Sequence, residues 1–364
     1  MKKLFCVLLV FMVTTSAFAQ KITATGKPPI VKGGPEADAL NTAIKTAFGD
    51  VMTELNDQLG DIKFSNPKKL LQAMGNSSAY ASHGATTRGY GGYKLFSASV
   101  GPMFGLQLPT GISSLFDDID ALENSMSKDG DINLGLNPNA LNFNVGLNLG
   151  IFTLDHWYVG LRVGYFNLPD LFEGLSFNTF TLGATVNYQI LPSLSLVGLV
   201  TWRGLSLGSG ILYSSSDISF TVPLGSDIDE PFTSGSVNGN IHMSPEASLS
   251  LSTYTVTIPL EAITAIKLLI FNIPLGIGAD LSFGKTSLGF GVDSDIKLTG
   301  LPTGYKATGG SISVKGEASN SPSFFNFKIM TGFGFAFGPV ILDIPLTFYP
   351  ASGYNLGLTI GVVF

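Results

Sequence analysis

The last eleven residues of the chain, 354–364, place an apolar side chain at every second position. Successive side chains of an extended strand point to opposite faces, so this alternation separates an apolar face from a polar one. The apolar face carries Tyr354, Leu356, Leu358, Ile360, Val362 and Phe364, and the other face carries Asn355, Gly357, Thr359 and Gly361. We therefore expect a β-strand that meets lipid on one face and water on the other.

The chain ends on an aromatic residue, Phe364, directly after this alternation. The ending resembles the closing strand of Gram-negative outer-membrane β-barrels, in which a C-terminal aromatic residue is recognised by the barrel-assembly machinery. The resemblance implies that Phe364 is an assembly signal and that the protein lies in the cell outer membrane.

The first 19 residues form a predicted secretory signal peptide. Lys2 and Lys3 precede an apolar run over residues 4–13, and an Ala17-Phe18-Ala19 cleavage pattern follows. This order of features is typical of export signals. The apolar run is about half the length of a membrane-spanning helix, which needs about 20 residues. Residues 1–19 are therefore excluded from the fold.

Composition favours a membrane barrel over a soluble domain. Charged residues make up 13% of the chain and the mean hydropathy is +0.35, whereas about 25% of residues are charged in typical soluble proteins. No second apolar run approaches the length of a spanning helix. Only helices and closed barrels satisfy every backbone hydrogen bond in lipid, so an exported chain this apolar fits a barrel.

Charge and cysteine content exclude several functional classes. Removal of Lys2 and Lys3 lowers the basic count from 20 to 18 against 26 acidic residues, which leaves a net charge near −8. Nucleic acid is therefore not an expected partner, because its binding requires basic surfaces. The single cysteine, Cys6, lies in the signal peptide, so the mature chain has neither a disulfide nor a thiol nucleophile.

Residues 90–364 contain long segments in which every second side chain is apolar, such as 141–151 and 269–283, and a third, 325–337, in which only Thr331 interrupts the alternation. Each is eleven or more residues long, whereas strands of soluble proteins usually run about five or six residues. A tilted strand needs about 9–11 residues to cross a bilayer. The predicted fold class is therefore all-β, a transmembrane antiparallel up-and-down β-barrel over residues 90–364.

Connection lengths predict the topology, because outer-membrane barrels combine short periplasmic turns with longer extracellular loops. Short turns are expected near residues 155, 192, 263–265 and 339, and long loops at 109–131, 168–174, 204–245 and 285–321. About ten strands result, starting near residues 90, 132, 156, 174, 194, 246, 266, 322, 339 and 352. Alternating pieces inside the two longest loops leave twelve or fourteen strands as alternatives.

Residues 20–89 do not share the barrel pattern. Apolar residues recur at three- and four-residue steps from Leu40 to Leu59, which predicts an amphipathic helix. The stretch that follows is rich in glycine and small residues. We consider two positions for residues 20–89, a plug in the lumen and a periplasmic helix against the barrel mouth. A further helix is predicted over residues 113–128, in the first long loop.

The polar face of the predicted strands indicates what lines the lumen. Asn, Ser, Thr and Gly dominate it, whereas general diffusion porins carry opposed rows of acidic and basic residues. The residues predicted to face the lumen are Asn142, Asn144, Asn148, Arg162, Arg203, Asn272, Asp280, Asn326, Lys328 and Asp343. Such a lumen suits small neutral or hydrophobic solutes.

No catalytic residue, cofactor or metal site is predicted, and we do not expect an enzyme. His83, His156 and His242 lack metal-ligand spacing to other candidates. His242 lies near Glu246 and among serines in a predicted outer loop, where barrel hydrolases carry their catalytic groups, but no spacing indicates a triad.

Two further groups of residues suggest contacts with the membrane. Acidic clusters at 117–123 and 227–230 fall in predicted outer loops, where they are solvated or bridge through divalent cations to lipopolysaccharide phosphates. Trp157, Trp202 and Tyr349 fall near predicted strand ends and are expected to be interfacial girdle residues. Outer-membrane lipid and lipopolysaccharide are therefore the expected surroundings.

A non-barrel N-terminal segment before a barrel with a weakly charged lumen is similar to the FadL-type transporters of fatty acids and hydrocarbons. Asn66-Pro67 matches the NP step common near the hatch of that family. The resemblance implies a passive channel for small neutral or hydrophobic solutes, gated by residues 20–89. The competing hypothesis is a closed barrel whose long loops at 204–245 and 285–321 serve surface binding or adhesion.

Overall fold

The computed structural model describes residues 23–61, 68–83, 94–108, 134–172, 174–195, 199–223, 228–234 and 237–364. The predicted signal peptide, the predicted helix over residues 113–128 and the acidic cluster at 117–123 lie outside the described residues. Within the described ranges, no helix has the length and apolar character needed to cross a membrane.

The described residues of the N-terminal segment form two short strands and two helices. These are β1 (Thr23–Lys27), β2 (Ile30–Lys32), α1 (Ala37–Asp61) and α2 (Lys68–Ala81). Helix α1 covers the predicted amphipathic helix. The sequence analysis did not predict α2, because its glycine, serines and asparagine obscure a helical apolar pattern.

After α2, the regular elements of the described residues are strands, apart from a 3₁₀ turn at Leu149–Phe152. In chain order they are β3 (Phe96–Gln107), β4 (Gly135–Asn148), β5 (Trp157–Phe172), β6 (Leu175–Leu191), β7 (Leu194–Ser195), β8 (Val200–Pro223), β9 (Ile228–Ser234), β10 (Val237–Leu268), β11 (Phe271–Thr299), β12 (Lys306–Thr308), β13 (Gly310–Asn320), β14 (Phe325–Phe337), β15 (Val340–Tyr349), β16 (Gly353–Gly357) and β17 (Thr359–Val363).

Ten antiparallel strands close into a barrel in the order β3-β4-β5-β6-β8-β10-β11-β14-β15-β16, with β17 continuing β16 past Leu358. The last strand pairs with the first, since Gly353 lies opposite Gln107 and Val363 lies opposite Ser97. Pairing of β10 with β11 completes the ring. This confirms the predicted all-β barrel and its ten strands.

The barrel is apolar outside and polar inside. On β6, Phe180, Leu182 and Val186 are exposed, whereas the alternating Thr181 and Thr185 are buried. A closed sheet with an apolar outer belt satisfies its backbone and meets lipid with its side chains. The protein is therefore a β-barrel of the outer-membrane type.

The two ends of the barrel differ. At the turn end, β4 connects to β5, β6 to β8, β10 to β11, and β14 to β15. At the opposite end, called the hairpin end, β10 and β11 continue as a paired ribbon that reaches Asn240 and Thr299. Strands β9, β13 and β1 extend this ribbon into a sheet of order β9-β10-β11-β13-β1, which we call the platform.

The platform corrects the predicted loops at 204–245 and 285–321, most of which are strand. Outside the membrane a strand needs no apolar outer face, so its exposed side is serine, glycine and charge, which is a composition also typical of loops. The alternation is present nevertheless, with Ser250 exposed between the partly buried Leu249 and Leu251.

Two other local predictions are wrong. The turn expected near residues 263–265 lies at Leu269 and Ile270, because a register shift between Thr264 and Ile266 interrupts the alternation inside β10. Tyr354, expected to face lipid, is only 6% exposed and packs edge-on against Phe348.

Candidate functional site

Helix α2 lies inside the barrel. All of its residues from Ala73 to Ala81 are buried, and it contacts strands β3, β4, β8, β10, β11, β13 and β16. A helix that touches strands all around a ring occupies the lumen of that ring. Of the two positions considered for residues 20–89, α2 therefore takes the lumen.

Two glycines of the barrel wall allow α2 to pack closely. A Cβ atom at Gly105 of β3 would overlap the carbonyl oxygen of Ser77, and one at Gly135 of β4 would overlap the carbonyl oxygen of Ala73. Only glycine allows backbone to approach backbone this closely. The inner surface of the barrel is therefore shaped to this helix.

Polar side chains of α2 pair with the wall. The Asn76 amide donates to Oε1 of Gln107 at 2.7 Å, and its Oδ1 accepts from the backbone N–H of Ser323 at 2.7 Å. The hydroxyl oxygens of Ser78 and Ser214 are 2.9 Å apart. These groups are buried, so breaking the contacts leaves unsatisfied polar atoms.

An aromatic contact holds the C-terminal turn of α2. The rings of Tyr80 and Tyr349 stack with centroids 3.7 Å apart and planes 14° from parallel. The Tyr80 hydroxyl lies 2.6 Å from Oγ of Ser352, and the Tyr349 hydroxyl donates to Oδ2 of Asp280 at 2.8 Å. Tyr349 was expected at the membrane interface, and its position against the helix corrects that prediction.

Beyond α2, His83 reaches a buried cluster of charged side chains. Nζ of Lys328 lies 2.5 Å from Oε1 of Glu261 and 2.7 Å from Oδ1 of Asp280. Nε2 of His83 lies 2.9 Å from Oδ2 of Asp280, and its Nδ1 lies 3.9 Å from Oε1 of Glu261. Asp280 and Lys328 are fully buried, and buried charges persist only when they are paired.

His83, Glu261 and Asp280 bring potential metal-ligating atoms close together. The ammonium group of Lys328 already supplies the positive charge at the two carboxylates. Nζ of Lys328 donates to one carboxylate oxygen of Glu261 and one of Asp280, which are atoms that a cation would need as ligands. The arrangement is an ion-pair network that joins His83 to three barrel strands, β10, β11 and β14.

The structure places the ten residues predicted to face the lumen in three settings. Asp280, Asn326 and Lys328 lie next to α2 or His83. Asn148 and Arg203 line a cavity at the turn end. The other five are buried or partly buried on the inner face, namely Asn142, Asn144, Arg162, Asn272 and Asp343.

The turn-end cavity has a volume of about 820 Å³. Lys94, His156 and Lys267 line it together with the C-terminal Phe364. Among the described residues, the buried side-chain amides of Asn142 and Asn272 have no protein hydrogen-bond partner. Buried amides of this kind usually bond to water in folded proteins.

Sequence reasoning missed two residues of the ion-pair network, His83 and Glu261. The expected turn at 263–265 placed Glu261 at a strand end, whereas it lies inside β10. The signal that was present is the pair of inward charges Asp280 and Lys328, because charges on neighbouring inward positions of a barrel require partners.

A family model described as Lsa36-like matches residues 17–364. No curated protein matches the chain. The solved structures include the translocator domain of autotransporter NalP from Neisseria meningitidis, with 9% identity over 86% of this chain and 98% of that chain and a TM-score of 0.27.

Two further solved structures are similar at the same level. LpxR from Salmonella typhimurium has 10% identity over 74% of this chain and 100% of that chain, with a TM-score of 0.25. The toluene transporter TodX from P. putida has 8% identity over 81% of this chain and 99% of that chain, with a TM-score of 0.23. No functional argument rests on TM-scores this low.

Proposed function

The chain belongs to the Lsa36-like family, and we propose that it is a closed outer-membrane barrel that displays the platform at the cell surface for binding. The observation that carries this proposal is the position of α2, which fills the hairpin-end half of the lumen. A barrel that is filled in this way serves as a membrane anchor for whatever projects from it.

The tight fit of α2 supports a closed resting state. Gly105 and Gly135 have no room for a side chain while α2 is in place. The Tyr80–Tyr349 stack and the His83–Asp280 contact hold the C-terminal turn of α2, and the histidine that follows it, against the barrel wall. Movement of the helix would break these contacts together, and it would leave Asp280 without one of its partners.

The platform supports a binding role through its size and order. From Tyr254, an exposed apolar residue of the outer belt, to Val237, β10 runs 17 further residues past that belt, roughly 55 Å at about 3.3 Å per residue. On the side of the platform that faces α2, Leu288 and Ala318 form an apolar cluster with Leu71. Ser250 and Ser252 are exposed to solvent. An ordered polar surface binds with less entropic cost than a flexible loop of the same length.

The proposed location follows from three features. Residues 1–19 have the pattern of an export signal, the outer belt is apolar, and Phe364 ends the closing strand. In this proposal the turn end faces the periplasm, the hairpin end faces outward, and the barrel-assembly machinery recognises Phe364. Lipid contacts the belt and lipopolysaccharide surrounds the base of the platform.

A gated passive channel is the second candidate, and the turn-end cavity favours it. A cavity of about 820 Å³ is large enough for a small solute, and Lys94, Arg203 and Lys267 line it together with Asp155. In this candidate α2 leaves the lumen to open the path. Solute uptake into vesicles that contain the full mature protein distinguishes it from the closed anchor.

Cysteine labelling tests the binding proposal, since Cys6 is the only natural cysteine. Cells that display Ser250→Cys are treated with a membrane-impermeant maleimide carrying a large polymer, and their retention on surfaces coated with proteins or polysaccharides is measured. We expect labelling at Ser250 and loss of retention. Ser195→Cys at the turn end is the control, and retention that survives full labelling of Ser250→Cys contradicts the proposal.

A further inference from the structure

Helix α2 has a defined direction in the barrel. At its first residue, the carbonyl oxygen of Lys68 accepts a hydrogen bond from Nδ2 of Asn320 at 2.8 Å. One turn later, Leu71 packs against Leu288, which lies in the part of β11 that projects from the barrel. At the other end of the described segment, His83 meets Asp280 within the barrel wall. The chain therefore enters the lumen from the hairpin end.

The next described residues after His83 lie at the turn end of the barrel. The backbone N–H groups of Lys94 and Leu95 donate to the carbonyl oxygen of Phe364 at 2.9 and 2.7 Å. Phe96, the first residue of β3, stacks on Phe364 with ring centroids 5.0 Å apart. Lys68, at the start of α2, therefore lies at the hairpin end of the barrel, whereas Lys94 lies at the turn end.

Everything described before α2 lies at the hairpin end. Strand β1 pairs with β13, from Thr23 opposite Lys315 to Lys27 opposite Ser311. Leu40 of α1 is buried with Val31 and with Val237 at the start of β10. Residues 23–61, which we call the N-terminal unit, thus complete the outer part of the platform.

This arrangement poses a transport problem. In the proposed orientation an exported chain arrives from the turn-end side, whereas the N-terminal unit ends on the opposite side of the membrane. The unit carries charged residues such as Lys27 and Asp38, whose passage through hydrocarbon is unfavourable. The polar lumen is the hydrated route that the fold itself provides.

We infer that the barrel conducts its own N-terminal unit through the lumen to the outer surface, and that α2 is the part of the chain that stays in this route. The inference rests on the proposed orientation of the barrel. A lumen that fits one helix admits an extended chain or a single helix, and the folded unit of β1, β2 and α1 is wider. The unit therefore crosses before it folds onto the platform.

Two properties of the sequence fit such a passage. The mature chain has no cysteine, so no disulfide can fold the unit prematurely. The inner wall is lined by short hydroxyl and amide side chains, such as Thr181, Thr257 and Asn187, which solvate a passing backbone without binding it strongly.

Transient cross-linking tests the route in the full chain. One cysteine replaces Thr46, which is exposed on α1, and a second replaces Ser206, which is buried on the inner face of β8. During a pulse-chase in an oxidising periplasm, we expect a Thr46→Cys to Ser206→Cys disulfide at early times that is absent from the pre-existing mature protein. The control pairs Thr46→Cys with Ile211→Cys, on the lipid face of the same strand, and should give no cross-link.

Surface labelling of Thr46→Cys separates the inference from the proposed orientation. Labelling of intact cells together with the early cross-link supports both. Labelling without any cross-link at Ser206 overturns the lumen route and leaves the orientation intact. Absence of labelling at Thr46→Cys, with Ser195→Cys labelled instead, overturns the orientation and the inference together.

Discussion

Tyr80 of the lumen helix stacks face to face on Tyr349 of the barrel wall, with ring centroids 3.7 Å apart. Tyr349 in turn donates to Asp280, whose carboxylate also contacts Lys328 and His83. One wall residue thus connects the helix to the ion-pair network. Helix position and wall charge are therefore coupled, so a change at either should affect the other.

Loss of the Tyr349 ring should loosen α2. Tyr349→Ala removes a fully buried aromatic side chain, and we expect unfolding to become easier by about 3–5 kcal/mol. Tyr349→Phe keeps the stack and loses only the bond to the Asp280 carboxylate, so its cost should be smaller, about 1.5–3 kcal/mol. Urea unfolding of the refolded proteins measures both, and equal effects of the two variants would contradict a role for the stack.

Removal of the buried ammonium group should destabilise the barrel. Lys328→Met leaves Glu261 and Asp280 buried without their shared cation, which should cost about 3–5 kcal/mol. Lys285→Met is the matched control, because Lys285 is exposed on β11. Urea unfolding again provides the measurement, and a Lys328→Met midpoint equal to that of the control would disprove the ion-pair network.

A side chain at the glycine contacts should displace the helix. In Gly105→Val the new side chain overlaps the backbone at Ser77, so we expect α2 to leave its position and the vesicles to become permeable to small sugars in a swelling assay. Gly309→Ala is the control, since a Cβ there meets only an oxygen at 3.5 Å. Sugar permeability that is unchanged in a folded Gly105→Val barrel would argue against a close fit.

A charge on the outer belt should be costly. Leu161 is 63% exposed on β5, and Leu161→Arg should destabilise the barrel in lipid by about 2–4 kcal/mol if the residue lies near the bilayer midplane. Ser250→Arg, on the platform, should change the free energy of unfolding by less than about 0.5 kcal/mol. Unfolding from vesicles compares the two, and similar values would show that the belt is not in lipid.

The barrel was predictable from sequence because lipid imposes a strict rule on each strand. Every second residue of a segment such as 271–283 is apolar, and about 9–11 residues are needed to cross. The same rule gave the ten strands. The rule does not apply to the platform, which lies outside the apolar belt. Its strands are rich in serine and glycine, and they were wrongly predicted as loops.

The candidate site was only partly predictable. Asp280 and Lys328 were assigned to the lumen by their place in the alternation, but their partner His83 comes from a distant segment with no periodic signal. Glycines such as Gly105 are informative only once the backbone that approaches them is known. A lumen contact depends on the closed ring, which pairs residues far apart in sequence, and local patterns do not contain that information.

The most direct test of the closed barrel is the planar-bilayer conductance of the refolded mature protein, compared with a Ser78→Cys/Ser214→Cys variant whose disulfide fixes α2 to β8. The hydroxyl oxygens of these serines are 2.9 Å apart, so the bond should form with little movement. We predict no conductance from either folded protein. A stable conductance from the mature protein that disappears when the disulfide forms would contradict a closed resting state.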